Sequence, residues 1–555
     1  MDIENLRWWG WGTLDQTYSL EGRTNFWPSL KSWLQLPQDL QAQAPVDLED
    51  VDLRPCRLDD PVLAYLERLV GTDAMRTDKR ARVEHAFGKA YRDLVRARTG
   101  VFPNPPDAVV YPGDEGQVAA LLTWAADRDI AVVPFGGGST VLGAVEPEPG
   151  DRRSITMDTA RLDRLVSIDP VSRTARIQAG ATGPEVEAQL GERGFTLGHF
   201  PQSFEFSTLG GWIATRAAGQ TSTGYGKIEH MTQAVRLVTP VGIVETTDTP
   251  ASATGPSLLQ VLVGSEGAYG VVTEATMRIH PCPEVQDYRG YLFSTFENGV
   301  STMRALMQSD LCPTIARLSD QEETTAFSVL AHEHQGLRVL VDQALKAYLA
   351  QRGHSLADGS CLMVLGFDGR KERVKDLWKQ AGLICRSHGG QGLGRAAGQS
   401  WKRDRFATPY LRDTLLGVGV MVDTLETATS WSRLLDLYEA INSSLNVAIR
   451  ETGGGPGYVM THVSHMYEWG ASLYTTFLGR QVPGQEVEQW WAIKQAVTEA
   501  ILAAGGTLSH HHGIGRDHVL WLEQEIGRVG VRALKSLKDV LDPAGIMNPG
   551  VLLSS

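Results

Sequence analysis

From residue 108 onward, short apolar runs alternate with apolar stripes at helical spacing, and this rhythm predicts an α+β fold. Residues 108–111 read as a strand. Asp114 then has helix N-cap chemistry, with Gln117 in the capping-box position three residues on. Val118, Leu121, Leu122 and Ala125 follow along one helical face and residues 130–134 resume a strand, so the opening unit is β-α-β. Further strands are expected at 154–158, 175–179, 235–239, 243–245 and 271–279, with helices over 184–193, 209–218 and 257–263. After Pro281-Cys282-Pro283 the texture shifts, and a strand at 290–293 leads into a helix over 296–308. Apolar runs at 362–365, 415–422, 458–463 and 471–477 predict more strands. Val487, Trp490, Trp491, Val497 and Ile501 mark the buried face of a helix that begins near Gly484 and that Gly505-Gly506 would end. Strands separated by long helices predict an antiparallel sheet backed by helices.

A chain of 555 residues exceeds what one hydrophobic core serves. The pattern divides it into a mostly helical N-terminal arm over residues 1–100, an α+β domain over 101–280, a second α+β domain over 281–540 and a tail over 541–555. The arm opens with Arg7-Trp8-Trp9-Gly10-Trp11-Gly12. Exposed tryptophan is costly, so the arm is expected to pack on another domain; the competing reading is an aromatic patch that meets lipid or a partner.

Charge and cysteine content narrow the function classes. The 52 Lys+Arg against 65 Asp+Glu leave −13, which speaks against a nucleic-acid partner but leaves room for a small basic pocket that takes one phosphorylated substrate. Cys56, Cys282, Cys312, Cys361 and Cys385 are widely spaced with no CxxC pair, and read as reduced thiols rather than disulfides or zinc ligands. The start lacks the basic and apolar regions of a secretory signal, the end is not a peroxisomal address, and the apolar run at 415–422 is too short to span a membrane. Cytoplasmic placement is expected. Loose peripheral membrane contact and a homodimer are both compatible with it.

The candidate chemistry begins at Pro134-Phe135-Gly136-Gly137-Gly138-Ser139-Thr140. A strand that runs into three glycines presents consecutive backbone N–H groups unshielded by side chains, a concave nest suited to a pyrophosphate. It is not a dinucleotide GxGxxG turn or a P-loop, so a nicotinamide cofactor or ATP is disfavoured. A second cluster combines Ser203, Ser207, Thr208, Gly210 and Gly211 with Thr215 and Gly219, and a third contains Glu266 and Gly267. Each could be turn chemistry alone; three glycine-hydroxyl clusters in one domain suit a long, kinked dinucleotide.

These segments resemble the FAD-binding segments of the vanillyl-alcohol-oxidase type flavoproteins. More narrowly, the chain is similar to the alkyldihydroxyacetonephosphate synthase family through Arg7–Gly12, Glu205-Phe-Ser-Thr-Leu-Gly-Gly-Trp-Ile-Ala-Thr-Arg-Ala, Val238-Thr-Pro-Val-Gly, Val263-Gly-Ser-Glu-Gly, Leu508-Ser-His-His-His-Gly-Ile-Gly and Asp542-Pro. The resemblance implies a two-part FAD-binding domain with a separate α+β cap domain over the flavin. With no His or Cys between Val132 and Asp158, it implies FAD held without a covalent link there. The family's Gly-Gly-Gly-Thr-Ser appears here with the hydroxyls exchanged, as Ser139-Thr140.

His510-His511-His512, read alone, is either a polar loop or a proton-transfer site, since imidazoles titrate where proton transfer is useful and neighbouring histidines make poor metal geometry. Tyr474, in an apolar strand pattern, is either core or acid–base. Arg412 and Arg317 could hold ion pairs or an anionic substrate. The resemblance places all six at the reaction centre: Tyr474 and the histidines handle protons, the arginines meet the phosphate. Asp423-Thr424 stands where the family has Glu-Ser, and His462 and His465 lie where its pattern varies. The family reaction exchanges the acyl group of an acyl-dihydroxyacetone phosphate for a long-chain fatty alcohol, with FAD as a covalent trap and no net redox change. An FAD-linked oxidase or dehydrogenase of a 2-hydroxy acid, and a non-catalytic flavin or lipid-carrier module, are the alternatives.

Overall fold

The computed structural model describes residues 5–331 and 359–554. Asp114 caps the helix Glu115–Ala126, its carboxylate accepting from the Gln117 N–H at 2.9 Å, while the Gln117 side chain accepts from the Gly113 N–H at 2.7 Å. This helix links Ala108–Val110 to Ala131–Phe135, which flank Ser154–Asp158 in a parallel arrangement; Met75–Arg76 adds an antiparallel edge. Every residue of Ala108–Val110 and Ser154–Asp158 is buried, as parallel strands covered on both faces require. A second, antiparallel sheet runs Leu165–Asp169, Thr174–Gln178, Val271–Arg278, Thr232–Thr239, Gly242–Glu245. Its first strand was not legible in the sequence because it is an exposed edge whose residues never alternate cleanly.

The cap is built on a seven-stranded sheet in which every pairing is antiparallel, in the order Gln391–Gly394, Val285–Phe293, Cys361–Gly369, Ile315–Ser319, Tyr458–Met466, Gly470–Arg480, Val420–Ser430. Helices Leu434–Glu451 and Glu486–Ala503 cover one face and supply Leu437, Ile441, Trp490, Ile493 and Val497 to the core. Gly505, with φ +75°, closes the second of these, as its sequence position implies.

One strand expectation fails. The apolar run at 415–422 is not one strand: the helix Thr408–Gly417 takes its first half, and the strand Val420–Ser430 begins only after Gly419 has turned the chain at φ +76°. The run looked continuous because Leu415 and Leu416 are buried helix residues and Val420 to Val422 are buried strand residues. Period alone does not separate the two in so short a stretch.

Segments near either end of the described residues pack into the interior. Trp8 and Trp11 are buried, Trp8 against Phe102 and Trp11 edge-on to Phe206, so the tryptophan motif is a packing arm rather than a free patch. At the other end, Met547 bridges Val132: the Val132 N–H donates to the Ile546 carbonyl and the Asn548 N–H to the Val132 carbonyl. Residues 546–548 therefore extend the edge of the first sheet, on the strand that runs into the glycine turn.

Candidate active site

A cavity of about 470 Å³ lies between the two glycine-rich sheets and the cap. Its polar end is lined by Pro134, Gly136, Gly137, Gly138, Ser139 and Thr140, by Ser203, Ser207, Thr208, Gly210, Gly211, Thr215 and Gly219, and by Glu266 and Gly267. A β-carbon at Gly137 would lie 1.9 Å from the Phe206 carbonyl oxygen, so only glycine lets the first and second clusters touch. Among the described residues, the N–H groups of Gly137, Gly138 and Ser139 have no protein acceptor. Unpaired backbone donors beside a cavity fit a dinucleotide's phosphates. Gly137→Ala is expected to weaken FAD retention roughly tenfold or more, measured as bound flavin absorbance after gel filtration.

Glu266 lines the same space, but both its carboxylate oxygens accept from the cap-side loop, from the N–H groups of Ile514 at 2.7 Å and Gly515 at 2.8 Å. Burial pushes this carboxyl up to about 7. It joins the third glycine cluster to the loop behind the histidine triplet.

The other end of the cavity is made by the cap sheet. Side chains alternate across a strand, so Val422, Thr424 and Glu426, Met460, His462 and Ser464, and Tyr474, Thr476 and Leu478 share one face. The register places Glu426 and His462 directly opposite Tyr474 on its two flanking strands. His462 stacks on Tyr474 with ring centroids 5.0 Å apart, and the Tyr474 hydroxyl donates to Thr424 Oγ1 at 3.1 Å. Burial raises the Tyr474 hydroxyl above the usual phenol range, which keeps it protonated.

Arg317 and His462 both meet Glu323, at 2.9 Å each. Burial alone would raise the Glu323 carboxyl, but the Arg317 and His462 charges outweigh it and hold it at about 2. Arg317 is thus part of an internal ion pair as well as the cavity wall. Arg412 differs in having no carboxylate ion pair among the described residues: it donates to the Lys89 carbonyl at 2.9 Å and lines the cavity, its Nε buried without a partner like that of Arg317.

The histidine triplet is organised by one carboxylate. Glu426 accepts from the backbone N–H groups of His510 at 2.7 Å, His511 at 3.0 Å and His512 at 2.8 Å, and from Ser509 Oγ at 2.7 Å. Burial disfavours its charge, yet the facing His511 imidazole, with His512 and His510, holds it well below the usual carboxylate range. Neighbouring histidines read as poor metal geometry because their side chains should diverge, but with their backbone N–H groups converging on Glu426, successive ring centroids sit 5.2 and 4.5 Å apart. His511 and His512 line the cavity beside Tyr474, whereas His510 stands behind them against Tyr467. Ring nitrogens of His465, His510 and His511 lie within 4.8 Å of one another, a spacing open to a metal ion, but both His510 nitrogens are engaged by Tyr467 and His511.

A family model described as an FAD binding domain matches residues 106–248, and one for the C-terminal domain of FAD linked oxidases matches residues 282–552. The alkyldihydroxyacetonephosphate synthase of Trypanosoma brucei brucei is 35% identical over 100% of this chain and 93% of its own length. That of Dictyostelium discoideum is 35% identical over 92% and 83%. The chain belongs to the alkyldihydroxyacetonephosphate synthase family. A solved alkyldihydroxyacetonephosphate synthase structure superposes with a TM-score of 0.85 at 31% identity, covering 99% of this chain and 98% of that one. The fold is accordingly the vanillyl-alcohol-oxidase type, α+β throughout, and FAD is the cofactor.

Within this family fold, the Asp423-Thr424 pair divides its work. Thr424 faces the cavity, while Asp423 points to the helical face and accepts from Trp490 Nε1 at 2.6 Å. Sequence reasoning passed over Glu426 and Glu323. The available signal for Glu426 was a second acid, after Asp423, on a strand of apolar and hydroxyl-bearing residues. Nor was the role of the tryptophan arm readable: Asp413 accepts from Arg7 at 3.1 Å and from the Trp11 N–H at 3.0 Å. A β-carbon at Gly10 would lie 2.4 Å from that carboxylate. The arm therefore clamps the helix that carries Arg412.

Proposed function

We propose that this protein exchanges the acyl group of an acyl-dihydroxyacetone phosphate for a long-chain alcohol, forming an ether-lipid precursor. The observation that carries the reading is the cavity's two-ended lining. Beyond Tyr474 and Arg412 it becomes apolar, walled by Phe26, Leu30 and Trp33 of the N-terminal helix, Val329 and Leu330, Leu415, Met460 and Leu478. A small hydroxy acid would leave that apolar wall uncovered, whereas an acyl or alkyl chain buries against it at roughly 0.8 kcal/mol per CH₂.

Bound FAD supplies an electron-poor ring at which a substrate carbon reacts. Arg412, which has no carboxylate ion pair among the described residues, holds the phosphate through charge-assisted hydrogen bonds; its buried, unpaired Nε supports this reading. The Tyr474 hydroxyl and the His511 and His512 rings converge on one part of the cavity and exchange protons with substrate there. Burial pulls the His512 imidazole down to about 3, so it enters the reaction neutral. Glu426 holds the triplet loop, and the sheet excludes water from behind.

Purified protein given acyl-dihydroxyacetone phosphate and a long-chain alcohol is expected to release fatty acid and ether product in equal amounts, without net reduction of the flavin. Rapid flavin reduction by a 2-hydroxy acid, with no ether formed, would overturn the assignment. Met460→Trp, which fills the apolar end, is expected to slow reaction with long-chain alcohols roughly tenfold more than with short ones, read from kcat/KM across a chain-length series. Cytoplasmic placement with peripheral membrane contact accompanies this reading, because a long-chain alcohol is drawn from a bilayer. No helix among the described residues is long and apolar enough to cross one.

A further inference from the structure

His510 poses a question that the reaction centre leaves open. Its backbone is fastened on both sides, N–H to Glu426 at 2.7 Å and carbonyl to Lys227 Nζ at 2.6 Å, yet its ring does not line the cavity. The ring instead sits in a hydrogen-bonded row. His510 Nε2 lies 2.6 Å from the Tyr467 hydroxyl, and His510 Nδ1 lies 3.0 Å from His511 Nδ1. Tyr467 is partly exposed, beside Trp469, which is 72% exposed, so the row runs from the protein surface to the cavity wall.

We propose that Tyr467 is a positioning residue for the reaction, setting the tautomer of His510 and, through it, of His511, and that the row returns protons from solvent to His511. This rests on the function proposed above. His511 Nδ1 also lies 3.3 Å from Glu426 Oε2, so the carboxylate and His510 compete for it, and the Tyr467 hydroxyl decides the competition. A Tyr467 O–H that donates to His510 Nε2 puts the proton of neutral His510 on Nδ1. That N–H then donates to His511 Nδ1, leaving the His511 proton on Nε2. When Nε2 gives its proton to a group in the cavity, His510 Nδ1–H breaks as His511 Nδ1–H forms. The Tyr467 O–H breaks as His510 Nε2–H forms, and water restores the tyrosine proton. No charge accumulates on any imidazole, and the reverse sequence makes His511 a base.

The protonation states suit such a row. Burial, with Lys227 and His511 nearby, holds the His510 ring well below the usual imidazole range, so it is neutral and able to pass protons through two nitrogens. Burial likewise raises the Tyr467 hydroxyl, so it rests as a donor. The Tyr467 carbonyl accepts from Trp431 Nε1 at 3.1 Å, which holds the residue in register.

The test is Tyr467→Phe, which removes one oxygen and keeps the ring. In the FAD-loaded variant, kcat for ether formation is expected to fall roughly tenfold or more, with KM and flavin content unchanged. The solvent deuterium isotope effect on kcat is expected to rise, because proton return becomes slow. A kcat within twofold of the parent, an unchanged isotope effect, or loss of flavin would each overturn the proposal, the last by making Tyr467 a packing residue. ¹⁵N spectra of labelled histidine give a readout independent of turnover: the His510 and His511 tautomers must change in Tyr467→Phe, and identical spectra overturn the row. A parent protein that forms no ether would count against the functional reading alone, since the spectra still judge the row.

Discussion

Tyr474→Phe is expected to lower kcat for ether formation by roughly 10²–10⁴-fold while the protein keeps its fold and its FAD. Tyr474 occupies a strand paired on both sides, with His462 opposite on one neighbour and Glu426 on the other, so its ring is fixed by stacking and its hydroxyl is left to Thr424 and the cavity. Removing the oxygen leaves the aromatic packing intact and costs one hydrogen bond, about 1 kcal/mol of stability. A variant that melts like the parent, retains flavin and yet turns over normally would remove Tyr474 from the chemistry.

Glu426→Ala is expected to act on both stability and turnover. Its carboxylate is the common acceptor for Ser509 and for three consecutive N–H groups, so truncation leaves the Ser509 hydroxyl and the His510 and His511 N–H groups without that partner, while the His512 N–H keeps only Ser509 Oγ at 3.2 Å. Leaving buried donors unsatisfied costs about 1–3 kcal/mol each, and the triplet loop would no longer bring His511 and His512 to Tyr474. The expected result is a lowered melting temperature together with ether formation reduced at least about 100-fold. The pH dependence follows in sign. Because the folded carboxyl lies well below its ordinary 4.5, its stabilising contribution is fully present above that value and is lost as pH falls below it towards the folded value. Glu426→Ala should therefore flatten the acid limb of the parent's stability curve. An unchanged melting temperature, or an acid limb identical to the parent's, would refute the role given to this residue.

Much of the fold is legible in the sequence. The capped helix Glu115–Ala126 and its flanking strands were legible because Asp114, Gln117 and the apolar stripe carry local information. The strand Ser154–Asp158 has the bounds its apolar run implies. The stretch 415–422 misled because helix and strand each supply half of one apolar run. Of the candidate residues, the glycine-hydroxyl clusters line one cavity together with Tyr474, His511, His512, Arg412 and Arg317. His510 stands behind, and Arg317 shares its charge with Glu323.

What the sequence determined by itself was everything written in short range: helix caps, strand periods, and the glycines that let one backbone segment pass against another at Gly137. What only the tertiary structure decided was which distant side chains share a face. Glu426, His462 and Tyr474 lie on three strands whose register brings them side by side, and a slip of one residue in either pairing would turn a partner to the opposite face. That register is set by the summed burial of whole strands against the helices behind them, a property of the assembled core that no local stretch of residues contains.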